Sequence, residues 1–97
     1  MGLKTRMNFA YPIDYHPDVV RIDLPRISTS GKQQIKKSIE SKLAQAPDRF
    51  GLPLRRSLKG YWKLRVGDYR VIYKVVAGRV KIYRIGHRSE VYSLPIR

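Results

Sequence analysis

The sequence predicts a single α+β domain over residues 1–97, of order β-α-α-β-β-β, with two N-terminal helices packed on one face of a mostly antiparallel sheet. Three observations carry this expectation. From Tyr61 to Ile82 the chain is rich in β-branched and aromatic residues, with basic side chains spaced by two on the opposite face from Leu64, Val71, Tyr73 and Val80, and with turns at Val66-Gly67-Asp68 and Ala77-Gly78, which is the pattern of strands joined by tight turns. Upstream, Ile35, Ile39, Leu43 and Ala46 recur at near four-residue spacing, the narrow apolar stripe of an amphipathic helix. Finally, 97 residues that are 42% apolar can bury one core between two layers and leave no room for a second.

Met1 to Asn8 read as a frayed start, and Phe9 to Tyr15 as the first strand, with Tyr11, Ile13 and Tyr15 on one face. Pro12 cannot donate to a ladder, so that strand belongs at an edge or begins late. His16-Pro17 opens a short helix in which Asp18 complements the helix dipole and Val19, Val20, Ile22 and Leu24 form the apolar side, with Pro25 as its stop and His16 as a helix-start or surface residue. Ser28, Thr29 and Ser30 are candidate caps for the second helix, and Ser30 with Gln33 has capping-box spacing. Lys32, Lys36, Lys37 and Lys42 surround that helix's stripe, and Pro47 ends it. Residues 48–54 then form a loop whose Phe50, Leu52 and Leu54 plug the edge of the core.

Along the next strand Trp62, Leu64 and Val66 share the core face while Tyr61, Lys63 and Arg65 share the other. In the following one Val71, Tyr73 and Val75 lie opposite Arg70 and Lys74, so Arg70 joins Lys63 and Arg65. Val80 and Ile82 keep the alternation and Ile85 breaks it, which a bulge near Tyr83-Arg84 or a strand end accounts for. A Gly86-His87-Arg88 turn leads into Ser89-Glu90-Val91-Tyr92 and returns His, Arg and Tyr to the sheet, while Gly51, Gly60, Gly67 and Gly78 read as turn residues.

The net charge is +14, and it is uneven: residues 49–97 hold thirteen Lys and Arg against two acidic residues, residues 1–48 eight against five. Like charge at that density works against a compact fold and marks a polyanionic partner, here on the uncovered sheet face where basic residues interleave with tyrosines. With no cysteine and only two histidines, neither a disulfide framework nor a zinc site is expected, and the composition suits a reducing cytoplasm. No apolar run approaches the roughly 18 residues of a membrane span, and no signal peptide is visible, so no membrane partner is expected.

Only Asp68 and Glu90 provide carboxylates in the basic half, which disfavours paired-carboxylate hydrolysis and carboxylate-bound Mg²⁺, and no glycine-rich phosphate loop is present. What remains is Lys63, Arg65, Arg70, His87 and Arg88, with Tyr61 and Tyr92 as hydroxyl or stacking partners. Such a set suits a phosphodiester: arginine forks phosphate oxygens, and tyrosine stacks on an unstacked base. On RNA the 2′-hydroxyl can itself attack the adjacent phosphate, so the protein need supply only proton transfer and charge stabilisation, with no cofactor. Arg55, Arg56, Lys59 and Lys74 extend the RNA-binding surface. Alternatively the same residues form a solvated sheet face.

Leu58-Lys59-Gly60, Tyr61-Trp62-Lys63-Leu64-Arg65, Tyr69-Arg70-Val71-Ile72-Tyr73 and Gly86-His87-Arg88-Ser89-Glu90-Val91-Tyr92 resemble the successive motifs of the RelE/ParE toxin superfamily of toxin–antitoxin systems, over roughly residues 9–92. The resemblance implies a RelE-like fold, a cognate antitoxin that wraps the toxin, and, in the RelE branch, ribosome-dependent cleavage of mRNA. By position it makes Lys63 a catalytic lysine, Arg70 the phosphate-binding arginine and Tyr92 the tyrosine of the last motif. Tyr61 replaces a second lysine of the family, and the segment before Arg88 is shorter, so His87 or Arg88 takes the place of the family's arginine general acid. A ParE-like gyrase inhibitor, or a non-catalytic basic module that binds RNA or serves in co-repression, are the alternative readings.

Overall fold

The computed structural model describes residues 10–92; Phe9 and the start at 1–8 lie outside them. Five strands form one sheet of order β1-β5-β4-β3-β2, namely β1 (Ile13–Tyr15), β2 (Leu52–Pro53), β3 (Trp62–Val66), β4 (Tyr69–Val76) and β5 (Arg79–His87). β1 pairs with β5 in parallel, and the other pairings are antiparallel. Two helices cover one face. Their Val19, Ile35, Ile39 and Leu43, with Ile27 from the intervening turn, meet Leu64, Val66, Val71, Tyr73, Val80, Ile82 and Ile85 of the sheet in one core. The α+β architecture is as expected. β1 is short and at the edge, as Pro12 requires: the Pro12 carbonyl accepts from Val80 N at 2.9 Å, where the proline nitrogen could not have donated.

The helices differ from the expectation in how they start and stop. The first winds as a wide π-type turn over Val19–Asp23 and tightens into a 3₁₀ turn over Leu24–Arg26. Pro25 therefore does not stop it but sits near the start of the tight turn, where its missing N–H leaves no bond unmade. Val19 and Asp23, four residues apart, point to the sheet while Val20 stays exposed. The second helix runs over Thr29–Ser38 and continues as Ile39–Leu43, and its stripe is buried as expected. Its cap is Ser28, whose Oγ accepts from Gly31 N at 3.1 Å. Ser30, with Gln33, is already inside the helix, whereas Ser28 has the extended backbone that a capping residue needs.

Pro47 opens a further helical turn, Pro47–Phe50, instead of leading straight into a loop. Phe50 and Leu52 are about half exposed, at 49% and 51%, so they do not plug the core edge. Tyr73 does: its hydroxyl donates to the Pro47 carbonyl at 2.6 Å. Gly51 is explained by the same contact. Its φ is an ordinary −95°, and a Cβ there would overlap the Tyr73 hydroxyl. Space, and not turn geometry, demands that glycine. Gly60, Gly67 and Gly78 do adopt positive φ in turns.

A bulge at Tyr83 is present: Ile72 pairs with Arg84 and Tyr73 with Ile82, leaving Tyr83 as the extra residue. It returns Ile85 to the core opposite Val71, and sends Arg84 and Gly86 to the face away from the helices. The strand then runs through His87, and the turn that was expected at 86–88 begins after it, with Glu90 N and Val91 N both donating to the His87 carbonyl. The face away from the helices is basic but not bare. Ile72 on that face is 0% exposed, and Arg70 and Arg84 are more than nine-tenths buried. No helix among the described residues is long and apolar enough to cross a membrane.

Candidate functional site

The β3–β4 hairpin places Arg65 directly opposite Arg70 and Lys63 opposite Ile72, so the three basic residues share the open face. Arg65 is exposed. Arg70 is not: its Nη1 folds back on the turn, donating to the carbonyls of Gly67 at 2.9 Å and Tyr69 at 2.8 Å. Tyr92 reaches the cluster from the turn after β5, and the Lys63 ammonium lies 5.7 Å from its ring centroid. Partial burial raises the Tyr92 hydroxyl above its ordinary value of 10.0, while the charges of Arg70 and Arg65 and a hydrogen bond from Arg70 pull it back without cancelling the rise. At neutral pH Tyr92 is therefore a neutral O–H, suited to donating a hydrogen bond or offering its ring. Lys63, Arg65, Arg70 and Tyr92 are brought together.

His87 is not brought to them. After the bulge its side chain falls opposite Tyr69, on the helix side, with the two rings edge to face at 6.2 Å. There it lines a cleft of about 320 Å³ with Asp23, Arg26, Tyr69, Arg84 and Glu90. Its Nδ1 accepts from Ser89 N at 3.2 Å and lies 2.8 Å from Ser89 Oγ, so the following turn holds the ring. Arg88 stays at the rim of the hairpin. Its N–H donates to the Asp68 carbonyl at 2.8 Å, and its Nε is 3.6 Å from Asp68 Oδ1 in a largely exposed ion pair of little strength.

Tyr61 and Lys74 meet on the open face, with the ammonium 4.4 Å from the ring centroid. Arg55, Arg56 and Lys59 are exposed in and around the tight turn Arg56–Leu58 that leads into β3. Sequence reasoning gave no role to Tyr83, which the bulge turns onto the open face beside Tyr61 at 5.6 Å; the broken alternation at Ile85 was the one signal that pointed there. Among the described residues no group of three or more His, Cys, Asp or Glu could hold a metal ion.

Fold and site together define a small α+β protein with a cationic, tyrosine-flanked sheet face. Residues 17–92 match the family described as the ParE toxin of type II toxin-antitoxin system, parDE. Over 89 residues the chain is 36% identical to Toxin RelE of Mycobacterium tuberculosis, covering 84% of this chain and 92% of that protein. The toxin–antitoxin complex RelBE2 of Mycobacterium tuberculosis includes a chain that superposes with a TM-score of 0.76 at 29% identity, over 84% of this chain and 94% of that one. An arginine-substituted toxin RelE of Escherichia coli, in complex with a peptide of its antitoxin, superposes with a TM-score of 0.66 at 27% identity, over 87% and 92% of the two chains. The chain belongs to the RelE/ParE toxin superfamily and is a RelE-like toxin of a type II toxin–antitoxin system.

Proposed function

We propose that this toxin is a ribosome-dependent endoribonuclease that cuts mRNA by attack of the RNA's own 2′-hydroxyl, acts in the cytoplasm, and is neutralised by a cognate antitoxin. The observation that carries the reading is the convergence of Lys63, Arg65 and Arg70 around the neutral hydroxyl of Tyr92. In the reaction the 2′-oxygen bonds to phosphorus, the bond to the 5′-oxygen breaks, one proton leaves the 2′-hydroxyl and one reaches the 5′-oxygen. Arg70, held by two carbonyls, is preorganised to take the charge that grows on the phosphoryl oxygens. Lys63 stands beside it for proton transfer and Tyr92 positions the nucleotide, while Arg88, at the same hairpin rim, is better placed than His87 to act on the leaving oxygen. No cofactor enters this scheme. Both similar structures described above are of toxins with their antitoxins, which supports an antitoxin partner for this chain.

The test is induced expression with mapping of mRNA ends on translating ribosomes. Cuts in register with codons are expected, and a 2′-deoxy sugar at the cut position should abolish them. A second reading, a poison of DNA gyrase without nuclease activity, draws on the ParE family match. DNA damage with intact mRNA would establish it and overturn the first.

A further inference from the structure

Beside the Lys63 cluster the open face carries a row of three rings. Tyr61, one residue ahead of β3, meets Tyr83 edge to face with 5.6 Å between centroids and 83° between planes. Tyr83 in turn neighbours His16, just past the end of β1, at 6.3 Å and 42°. Between Tyr83 and His16 the surface sinks into a depression of about 310 Å³, whose other walls are Asp14, Tyr15, Lys81 and Ile82. The bulge is what opens it, because Tyr83 and Arg84 leave β5 on the same side where a regular strand would send one of them into the core.

The chemistry of the walls is specific. Lys81 stands opposite Lys74 across β4–β5, so two ammonium groups border the rings. The Asp14 carboxylate is neutralised, its two oxygens accepting from Arg79 Nε at 2.7 Å and Nη2 at 2.9 Å, so it does not repel an anion. Asp18 N donates to His16 Nδ1 at 3.0 Å, which leaves Nε2 as the donor of the neutral ring. Tyr83 is the ring that lines the depression itself, while Tyr61 lies beside it under the Lys74 ammonium.

We propose that this depression is a nucleobase subsite: one unstacked base of a single-stranded RNA lies on Tyr83 against His16, and Lys74 and Lys81 take the phosphates on either side. Aromatic platforms flanked by cations are how proteins bind splayed single strands. The identity of the strand rests on the nuclease reading. Tyr61 is two residues from Lys63, about 7 Å along the strand, so the base belongs to a nucleotide close to the reacting phosphate.

The experiment measures binding of a fluorescent single-stranded 2′-O-methyl oligonucleotide, which cannot be cut, and of copies with one abasic sugar moved along it. Tyr83→Ala should weaken binding about 5- to 150-fold, the range for one lost stacking contact, and Tyr83→Phe should bind as the wild type does. One abasic position should cost the wild type a similar factor and cost Tyr83→Ala nothing further; the wild-type half of this comparison uses the unaltered protein and so survives any folding defect of the variant. Equal binding by Tyr83→Ala, no sensitive abasic position, or no binding by the wild type overturns the proposal. So does weakened capture of the cognate antitoxin by Tyr83→Ala with RNA binding unchanged, which would make the depression a protein contact. The nuclease reading is judged separately: the binding pattern above with intact mRNA on ribosomes leaves the subsite standing and removes the nuclease. Cut mRNA with indifferent Tyr83→Ala does the reverse.

Discussion

Arg65 and Arg70 face each other across the β3–β4 hairpin, yet one is exposed and the other is 9% exposed with its Nη1 bound to two turn carbonyls. Like charges directly opposite on a sheet repel. Here the repulsion is relieved because Arg70 lies down on its own turn, leaving Arg65 to solvent. The two arginines thus differ in kind: the fold itself holds Arg70 in place in the cluster, whereas Arg65 stands exposed beside it.

Arg70→Ala should therefore cost both stability and rate. Loss of the donor to two part-buried carbonyls predicts about 1–3 kcal/mol in chemical denaturation, and loss of a preorganised charge predicts a roughly 10²–10³-fold slower cut on programmed ribosomes. An Arg70→Ala protein that melts normally and cuts normally would refute both roles.

Arg65→Ala should stay within about 0.5 kcal/mol of the wild type in stability. Its effect belongs in the salt dependence of RNA or ribosome affinity, where the slope against log salt should fall by about one. An unchanged slope would mean that Arg65 touches no phosphate.

His87 and Arg88 should no longer be equivalent in assays of cutting. Removal of a true general acid costs about 10²–10⁴-fold, and Arg88→Ala is expected in that range while His87→Ala, on the helix side, loses far less. The reverse order would require the turn at residues 88–92 to rearrange on the ribosome.

Tyr73 carries a pH dependence. Burial, with the charge of Asp48 added, raises its hydroxyl above the ordinary 10.0. The unfolded chain ionises first, so this contribution to stability is complete below about pH 10 and is lost as pH rises beyond it, by at most about 1.4 kcal/mol per pH unit for one group. Urea unfolding from about pH 8 to 11 should show a plateau and then a fall. Tyr73→Phe should be less stable on the plateau, because the Pro47 carbonyl loses its donor, and should fall less steeply; an equally steep fall would assign the effect to other tyrosines.

Most of the sheet was legible because alternation reports which side of a strand is wet. It reports nothing about what covers that side, so Ile72 and Arg70 could be placed on the open face but not recognised as buried there. His87 was expected in a turn and instead ends the strand. The bulge that keeps Ile85 in the core also shifts every later residue by one, and with the strand continuing through position 87 the imidazole crosses to the helix side. Ser28 and Ser30 are chemically alike, and only the backbone of the helix start chooses between them. Residues 47–54 defeated pattern reading because their organiser, the Tyr73 hydroxyl, comes from a strand more than twenty residues away.

The parallel pairing of β1 with β5 sets an order of assembly. β3, β4 and β5 are neighbours in sequence and can close as successive hairpins, whereas Ile13 must find Val80 across most of the chain. Loop closure over that separation is slow to be rewarded, so the meander should form early and the edge strand dock late. During synthesis the first strand waits for the last to leave the ribosome. A nascent chain would then lack the His16 side of its open face until β5 has emerged, so that face stays incomplete for as long as β5 is still being made.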